Sequence, residues 1–328
     1  MSDKNRFLNF PIAMLAQTIA EPKSGLNAIA DYSIWEFSAH CARDFEKAFA
    51  QVAYLARAKV GSMPAAVRAL LDRPAVAELV DVIHEGAWGT DGYVSGTADI
   101  LHDECLNHAL MTVSEKEAVI SFVALRDAAA FFGRAITDYD GLALSAQRSR
   151  QAVQDHEAEH GKTVFASVHA DYFFETLDNE PTLDDLRVFR SVCAVRSLVG
   201  KKAFTGVTKD MLRGRMIGGK SPSVAAVLAE RDHALQAELD ALQSRKRLDR
   251  ILTLAASRKF FGKFGKGRRV YVSTEAKNPA VLADMVSRRF TALGKYQAQE
   301  RQARRRYQKG QQEGQQGDII GYSFNKTL

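Results

Sequence analysis

The chain has 328 residues, of which 46% are apolar and 26% are charged, proportions that are ordinary for a soluble globular protein of up to two domains. No apolar run reaches the roughly 18–20 residues that a membrane span requires, and the N-terminus lacks a signal-peptide pattern, so we expect a cytoplasmic protein with no membrane partner. Its three cysteines are odd in number and lack metal-type spacing, which predicts reduced thiols at Cys41, Cys105 and Cys193.

The two halves of the chain carry opposite charge. Residues 1–180 contain 15 Lys and Arg against 26 Asp and Glu, a net charge of −11, whereas residues 181–328 contain 30 against 13, a net charge of +17. An asymmetry of this kind favours a polyanionic partner for the second half. The alternative is two solvated surfaces that differ only in charge.

The first 150 residues have the pattern of an acidic helical domain. An extended lead at residues 6–15 comes first, and clustered glycines in residues 85–96 predict a loop. Ser114 and Glu117 have the spacing of a capping box. We expect this half to provide the surface for a homodimer or a protein partner. Apolar residues recur at helical spacing over residues 26–58, 64–83 and 97–143.

Residues 151–180 are predicted to connect the two halves. The polar stretch up to His160 has helical composition, and residues 163–174 are rich in β-formers, which predicts a short strand that leads into the second domain. Beyond it we expect a basic domain over residues 181–296 and a flexible, basic and Gly/Gln-rich tail over residues 297–328.

The basic domain has the predicted element order helix, short strand, helix, basic helix and β-hairpin. Thr182 is a suitable N-cap for the first helix, a strand at 203–207 follows, and the second helix covers 209–217. The stretch 244–259 has apolar residues at helical spacing between its cations. Glycines then supply the tight turn between two β-rich segments, 259–264 and 268–273.

This order resembles the winged helix-turn-helix superfamily over about residues 182–274. The segments LNFP, VGKKAFTGVTKDM and RRVYVST also resemble proteins of bacteria and mobile elements. The resemblance implies a mainly α-helical fold, in which a helical N-terminal domain precedes a winged helix with a small β-hairpin wing. It further implies a recognition helix in the DNA major groove. An extra helical stretch at 221–243 departs from the family pattern, so the recognition helix is either 222–232 or the more basic 244–259.

The predicted partner is double-stranded DNA, because lysine and arginine neutralise phosphates and arginine suits bidentate contact with guanine. We therefore expect a transcriptional regulator or a plasmid or phage replication initiator that performs no catalysis and needs no cofactor or metal. The basic run at 301–309 is interpreted as an additional arm. The candidate DNA-binding residues are Lys209, Arg213, Arg215, Arg245, Lys246, Arg247, Arg250, Arg258, Lys259, Lys263, Lys266, Arg268, Arg269, Arg304, Arg305 and Arg306.

Two other functions are considered. One is a non-enzymatic interaction or scaffold protein of a phage, plasmid or defence system, whose winged helix binds protein or RNA. The other is a zinc hydrolase, because His156-Glu157-Ala158-Glu159-His160 matches the HExxH signature, in which two histidines bind zinc and the glutamate acts as a base. The polar context of this motif and the lack of an evident third ligand favour an exposed helix end instead.

Overall fold

The computed structural model describes residues 6–59, 62–87, 111–266, 269–275 and 277–324. This part of the chain is mainly helical, as the sequence predicts, with two small antiparallel sheets. The helices are α1 (Gln17–Ala20), α2 (Pro22–Ser38), α3 (Phe45–Ala58), α4 (Ala65–Leu71), α5 (Pro74–Ala87), α6 (Val113–Phe131), α7 (Tyr139–His160), α8 (Ala170–Asp178), α9 (Leu183–Val199), α10 (Lys209–Met216), α11 (Pro222–Arg231), α12 (His233–Gln243), α13 (Arg245–Ser257) and α14 (Pro279–Phe324). The strands are β1 (Phe7–Pro11), β2 (Phe165–His169), β3 (Thr205–Thr208), β4 (Gly262–Lys266) and β5 (Arg269–Ser273).

The structure bears on three sequence predictions, which concern a membrane span, the cysteines and the glycine-rich loop. Among the described residues, no helix combines the length and apolarity needed to cross a bilayer. Cys41 and Cys193 are free thiols. Cys105 and most of the glycine-rich loop predicted at 85–96 lie outside the described residues.

The N-terminal strand pairs with the strand in the predicted connector. Strands β1 and β2 pair antiparallel, from Phe7 opposite His169 to Pro11 opposite Phe165. Successive side chains of a strand point to opposite faces, and one face of this ladder is completely buried through Leu8, Phe10, Ala166 and Val168. The connector strand therefore contributes to the core of the acidic half.

Helix α9 lies between two hydrophobic cores. It begins with a capping box in which Thr182 and Asp185 exchange hydrogen bonds, and it ends at Gly200, which has a positive φ of 54°. Toward the acidic half, α9 contributes Leu186, Phe189 and Cys193 to a core that begins at Leu8. Toward the basic half, it contributes Val188, Val192, Ala194, Val195 and Val199.

Two arginines of α9 are buried together with one carboxylate. Glu238 of α12 accepts hydrogen bonds from Nη2 of Arg187 at 2.7 Å and from Nη2 of Arg190 at 2.8 Å. Arg190 is 0% exposed, and its Nη1 donates to the carbonyl of Thr18 at 3.5 Å. Burial lowers the pKa of Arg190 to about 10, an effect that Glu238 opposes, so Arg190 stays charged near neutral pH. This network joins α1, α9 and α12.

The second sheet has the strand order β3–β5–β4, and its central strand β5 packs on both faces. Val270 and Val272 of β5 pack into the core that contains α9 and α13. Tyr271, between them, packs against Leu282 and Val286 of α14. Gly206, the cross-strand partner of Tyr271, has no room for a side chain, because a Cβ there would lie 2.7 Å from Cε1 of Tyr271.

Some local predictions were wrong in detail. The capping box of α6 is formed by Thr112 and Glu115 rather than by Ser114 and Glu117, because Thr112 has the extended backbone that an N-cap requires and Ser114 is already helical. The stretch 221–243 is two helices, because Asp232 has an extended backbone and its carboxylate caps α12. The first hairpin strand begins at Gly262 rather than at residue 259.

The sequence predicts a flexible tail over residues 297–328. In the structure, helix α14 extends through this region as far as Phe324. No proline follows Pro279 within this helix, and its Ala, Arg, Gln and Glu residues favour helix.

Replacing Glu238→Ala should destabilise the protein strongly, because two buried guanidinium groups would lose their shared carboxylate. We expect the free energy of unfolding to fall by about 3–5 kcal/mol, measured by urea denaturation. Glu230→Ala, at an exposed position of α11, is the control and should stay within about 0.5 kcal/mol of the parent protein. Equal losses in the two variants would contradict a structural role for the Glu238 network.

Candidate nucleic-acid interface

Helix α13 has one face in the core and a basic face in solvent. Its buried residues recur at helical spacing: Leu248, Ile251, Leu252 and Ala255. The opposite side carries Lys246 and Arg250, which are four residues apart and thus neighbours on the helix surface. Ser244 links α12 to α13 and caps α13, because its hydroxyl accepts a hydrogen bond from the backbone N–H of Arg247 at 3.4 Å.

The first turn of α13 contains three consecutive exposed cations, Arg245, Lys246 and Arg247, and no acidic residue. Cations at a helix N-terminus face the positive end of the helix dipole and are therefore unfavourable for the helix itself. Arg250, one turn further, is 79% exposed and lies 3.8 Å from Asp184 of α9. We call Arg245, Lys246, Arg247 and Arg250 the α13 cation cluster. Its arrangement is suited to an anionic partner.

The β4–β5 hairpin adds cations beside this helix. Arg269, at the start of β5, is exposed, and so is Lys259, which follows α13 with a left-handed φ of 62°. Neither side chain has a hydrogen-bond or ion-pair partner within the described ranges. Arg268 and the side chain of Lys266 lie outside the described part of the chain.

Two predicted DNA-binding lysines are engaged inside the fold. Nζ of Lys209, on α10, lies 2.6 Å from Oδ2 of Asp249 on α13. Nζ of Lys263, on β4, donates to Oγ1 of Thr253 at 3.0 Å and to the carbonyl of Asp249 at 3.3 Å. The lysine side chains are only 20% and 19% exposed. Burial lowers the pKa of Lys263, and the carboxylate of Asp249 opposes that shift.

Two of the predicted arginines are likewise held by hydrogen bonds within the protein. Arg213 donates to the carbonyls of Leu242 and Gln243 at 2.9 and 3.1 Å, which satisfies the open carbonyls at the end of α12. Arg258 donates to Oδ1 of Asp185 at 2.9 Å.

Arg215 is the most buried of the predicted residues, at 8% exposed. Burial lowers its pKa, and its Nε and Nη1 have no hydrogen-bond partner among the described residues. Arg213 and Arg215 are therefore internal, whereas Arg258 is exposed but held by its ion pair with Asp185.

Helix α11 offers little free positive charge, which bears on the choice of recognition helix. Arg231 is the fixed cation of residues 222–243, and its guanidinium pairs with Glu159 at the end of α7. The exposed basic surface in this part of the chain therefore belongs to α13.

Helix α14 carries a second series of cations. Its 46 residues give a length of about 69 Å at 1.5 Å per residue. Arg288 pairs with Asp284 and Arg304 with Glu300, both along the helix. The side chains of Arg305 and Arg306 lie outside the described part of the chain. The exposed cations that are described are Arg288, Arg289, Lys295, Arg301 and Arg304.

The HExxH segment, residues 156–160, forms the C-terminal end of α7. The Glu157 carboxylate accepts a hydrogen bond from the backbone N–H of Thr163 at 2.9 Å, and the His156 and His160 rings meet edge to face at 4.8 Å. Burial lowers the pKa of His156. In the described ranges, no three His, Cys, Asp or Glu residues are placed to hold a metal ion. Glu157 thus acts here as a turn-stabilising acceptor.

Sequence reasoning missed the aspartates that organise this surface. Asp249 contacts Lys209 and Lys263, and Asp185 contacts Arg258. One signal was available: Asp249 is the single acidic residue in the stretch 244–259. An isolated acid in a basic helix indicates a specific internal partner.

The Asp185 carboxylate should make stability depend on acid pH. The Thr182 hydroxyl and then Arg258 lower the pKa of Asp185, so its stabilising effect is full above its unfolded pKa of about 3.9 and is lost as the pH falls through the lower folded value. We expect Asp185→Asn to be less stable than the parent at pH 7, with the difference shrinking below about pH 4. Urea denaturation across this range measures it, and a constant difference would refute the role of the ionised carboxylate.

Comparisons with known proteins do not assign this surface. No family model, curated protein or solved structure matches the chain. A functional assignment therefore depends on the geometry and charge of the described residues.

Proposed function

We propose that the protein binds double-stranded DNA through α13 and the β4–β5 hairpin, as a transcriptional regulator or as a replication initiator of a plasmid or phage. The observation that carries the proposal is the α13 cation cluster. Its four side chains are exposed at the start of one helix, where the helix dipole adds to the attraction for phosphate. The basic character of the whole second half supports the same partner.

The order and pairing of the elements support a winged helix-turn-helix assignment for residues 182–274. Helix α9, strand β3, helix α10, helix α13 and the β4–β5 hairpin follow one another, and β5 lies between β3 and β4. In this proposal α13 is the recognition helix and the hairpin is the wing. Helices α11 and α12 form an insertion between the second helix and the recognition helix.

The proposed binding mode follows from the exposed residues. The N-terminal turns of a recognition helix contact base edges in the major groove, which here would bring Arg245, Arg247 and Arg250 to the bases. Arginine donates two parallel hydrogen bonds to guanine O6 and N7. Lys246, and Arg269 on the hairpin, would contact phosphates and set the orientation of the protein on the duplex.

The acidic half is proposed to serve dimerisation or partner recruitment. Its net charge of −11 makes it unsuited to a phosphate backbone. It shares α9 with the basic half, so the surface that a partner would occupy is joined to the proposed DNA-binding surface through one packed helix.

DNA affinity should fall steeply with salt, because each neutralised phosphate releases counterions. Three exposed cations of this surface, Lys246, Lys259 and Arg269, are proposed to meet phosphates. If each neutralises one phosphate, together they contribute about −2.7 to the slope of log K against log salt. Changing Lys246, Lys259 and Arg269 to Gln should therefore make the slope less negative by about 2.7, as measured by fluorescence anisotropy on a duplex.

A matched triple variant controls for net charge. Lys23, Arg68 and Arg148 are exposed in the acidic half, and changing them to Gln should leave the slope unchanged. A parent protein whose duplex affinity does not vary with salt would overturn the proposal. Equal effects of the two triple variants would place the binding surface elsewhere.

Removal of residues 297–328 tests the contribution of the distal part of α14. The buried contacts of this helix are made by Leu282 and Val286, so the shortened protein should keep its thermal unfolding midpoint. We expect it to bind duplex DNA more weakly and with a less negative salt slope, because Arg301 and Arg304–Arg306 are lost. An unchanged slope would show that this arm does not contact phosphates.

A further inference from the structure

The strand register places Lys263 on the face of the hairpin that meets α13. Lys263 of β4 is the cross-strand partner of Val272, and directly opposite residues of an antiparallel pair project from the same face. Val272 is completely buried in the core that contains α13. The neighbouring residue, Phe264, pairs with Tyr271 and projects toward α14. The alternation of the strand therefore directs Lys263 away from the outer surface of the hairpin.

Four polar residues at this junction form one connected cluster, which we call the Asp249 brace: Lys209, Asp249, Thr253 and Lys263. Thr253 donates from Oγ1 to the carbonyl of Asp249 at 2.7 Å and accepts from Lys263 at 3.0 Å. The Asp249 carboxylate lies 2.6 Å from Nζ of Lys209 and 4.0 Å from Nζ of Lys263. The brace thus joins α10, α13 and β4.

We infer that the Asp249 brace is a positioning device that holds the hairpin at a defined distance from α13, and that Lys209 and Lys263 do not contact DNA. The effect of the brace on DNA binding rests on the proposed function, because the distance between the hairpin and α13 decides whether both can contact one duplex. The geometry of the brace itself is independent of DNA.

The chemistry of Asp249 supports this role. A carboxylate on a helix that approaches DNA repels phosphates, so its presence within a basic helix calls for a compensating interaction. Here it pairs with the ammonium group of Lys209 at 2.6 Å and attracts that of Lys263 at 4.0 Å, and both lysine side chains are about four-fifths buried. Without it, those two groups would face each other in a partly desolvated site. Nζ of Lys263 donates to a hydroxyl and a carbonyl and lies 4.0 Å from a carboxylate, so it has little capacity left for a phosphate.

The brace can be tested in the free protein by hydrogen–deuterium exchange. Lys263→Met keeps the aliphatic stem and removes the donors, and Lys259→Met is the matched control at an exposed position of the same region. We expect amide exchange in β4 to accelerate on the order of tenfold in Lys263→Met, with the rest of the chain and the control unchanged. Thr253→Val should accelerate exchange in the same strand, whereas Thr253→Ser, which keeps the hydroxyl, should not.

Duplex binding supplies the second measurement. Lys263→Met should raise the Kd several-fold with an unchanged salt slope, whereas Lys259→Met should make the slope less negative by about 0.9. The inference is overturned if β4 exchange is unchanged in Lys263→Met, or if that variant changes the slope as the control does. If the parent protein shows no salt-dependent duplex binding, the proposed function fails, and the exchange comparison still decides whether the brace exists.

Discussion

The rest of the structure depends on the burial of helix α9 from two sides. Eight of its side chains pack into one or the other hydrophobic core, and each buried aliphatic or aromatic side chain contributes on the order of 1.5–3 kcal/mol. Two arginines on the same helix are buried as well, and Glu238 offsets the cost of their burial. A helix that is buried all round cannot shift without disturbing both cores. The acidic and basic halves are therefore mechanically joined, although their surfaces differ in charge.

Packing against α9 positions the elements that carry the proposed DNA-binding surface. Helix α13 packs its apolar face into the core that α9 shares, and its cations are left on the opposite side. The first turn of α9 reaches this surface, where Asp185 binds Arg258 and Asp184 lies near Arg250. Asp185 and Asp249 pair with cations that hold the helices and the hairpin together. The α13 cation cluster remains exposed, including Arg250 at 3.8 Å from Asp184.

Local patterns in the sequence were sufficient for much of the fold of the basic half. The N-cap at Thr182, the apolar spacing of 244–259 and the glycines of the hairpin are short-range signals, and α9, α13 and β4–β5 appear where those signals indicate. The exposed positions of Arg245, Lys246 and Arg247 follow from the same periodicity. These features depend on residues that are close together in the chain, so the sequence pattern is sufficient to predict them.

The contacts that determine which cations are free could not be predicted in this way. Lys209 and Asp249 are 40 residues apart, and Asp185 and Arg258 are 73 apart. The pairing of β1 with β2 joins residues 7 and 169. Such pairs form only when the cores bring distant elements together, so a count of basic residues overestimates the free positive surface. It placed Lys209, Arg213, Arg215 and Lys263 at a DNA interface, whereas the structure holds their side chains largely inside the fold.

Selection of bound sequences from a random pool of duplex DNA tests the central claim most directly. The parent protein should enrich a short motif with guanines, because arginines at the start of α13 would contact the bases. The protein in which Arg247 and Arg250 are changed to Lys keeps its charge and should retain affinity while the motif weakens, since lysine lacks the planar fork of arginine. A parent protein that enriches no motif and retains no duplex DNA would contradict the account.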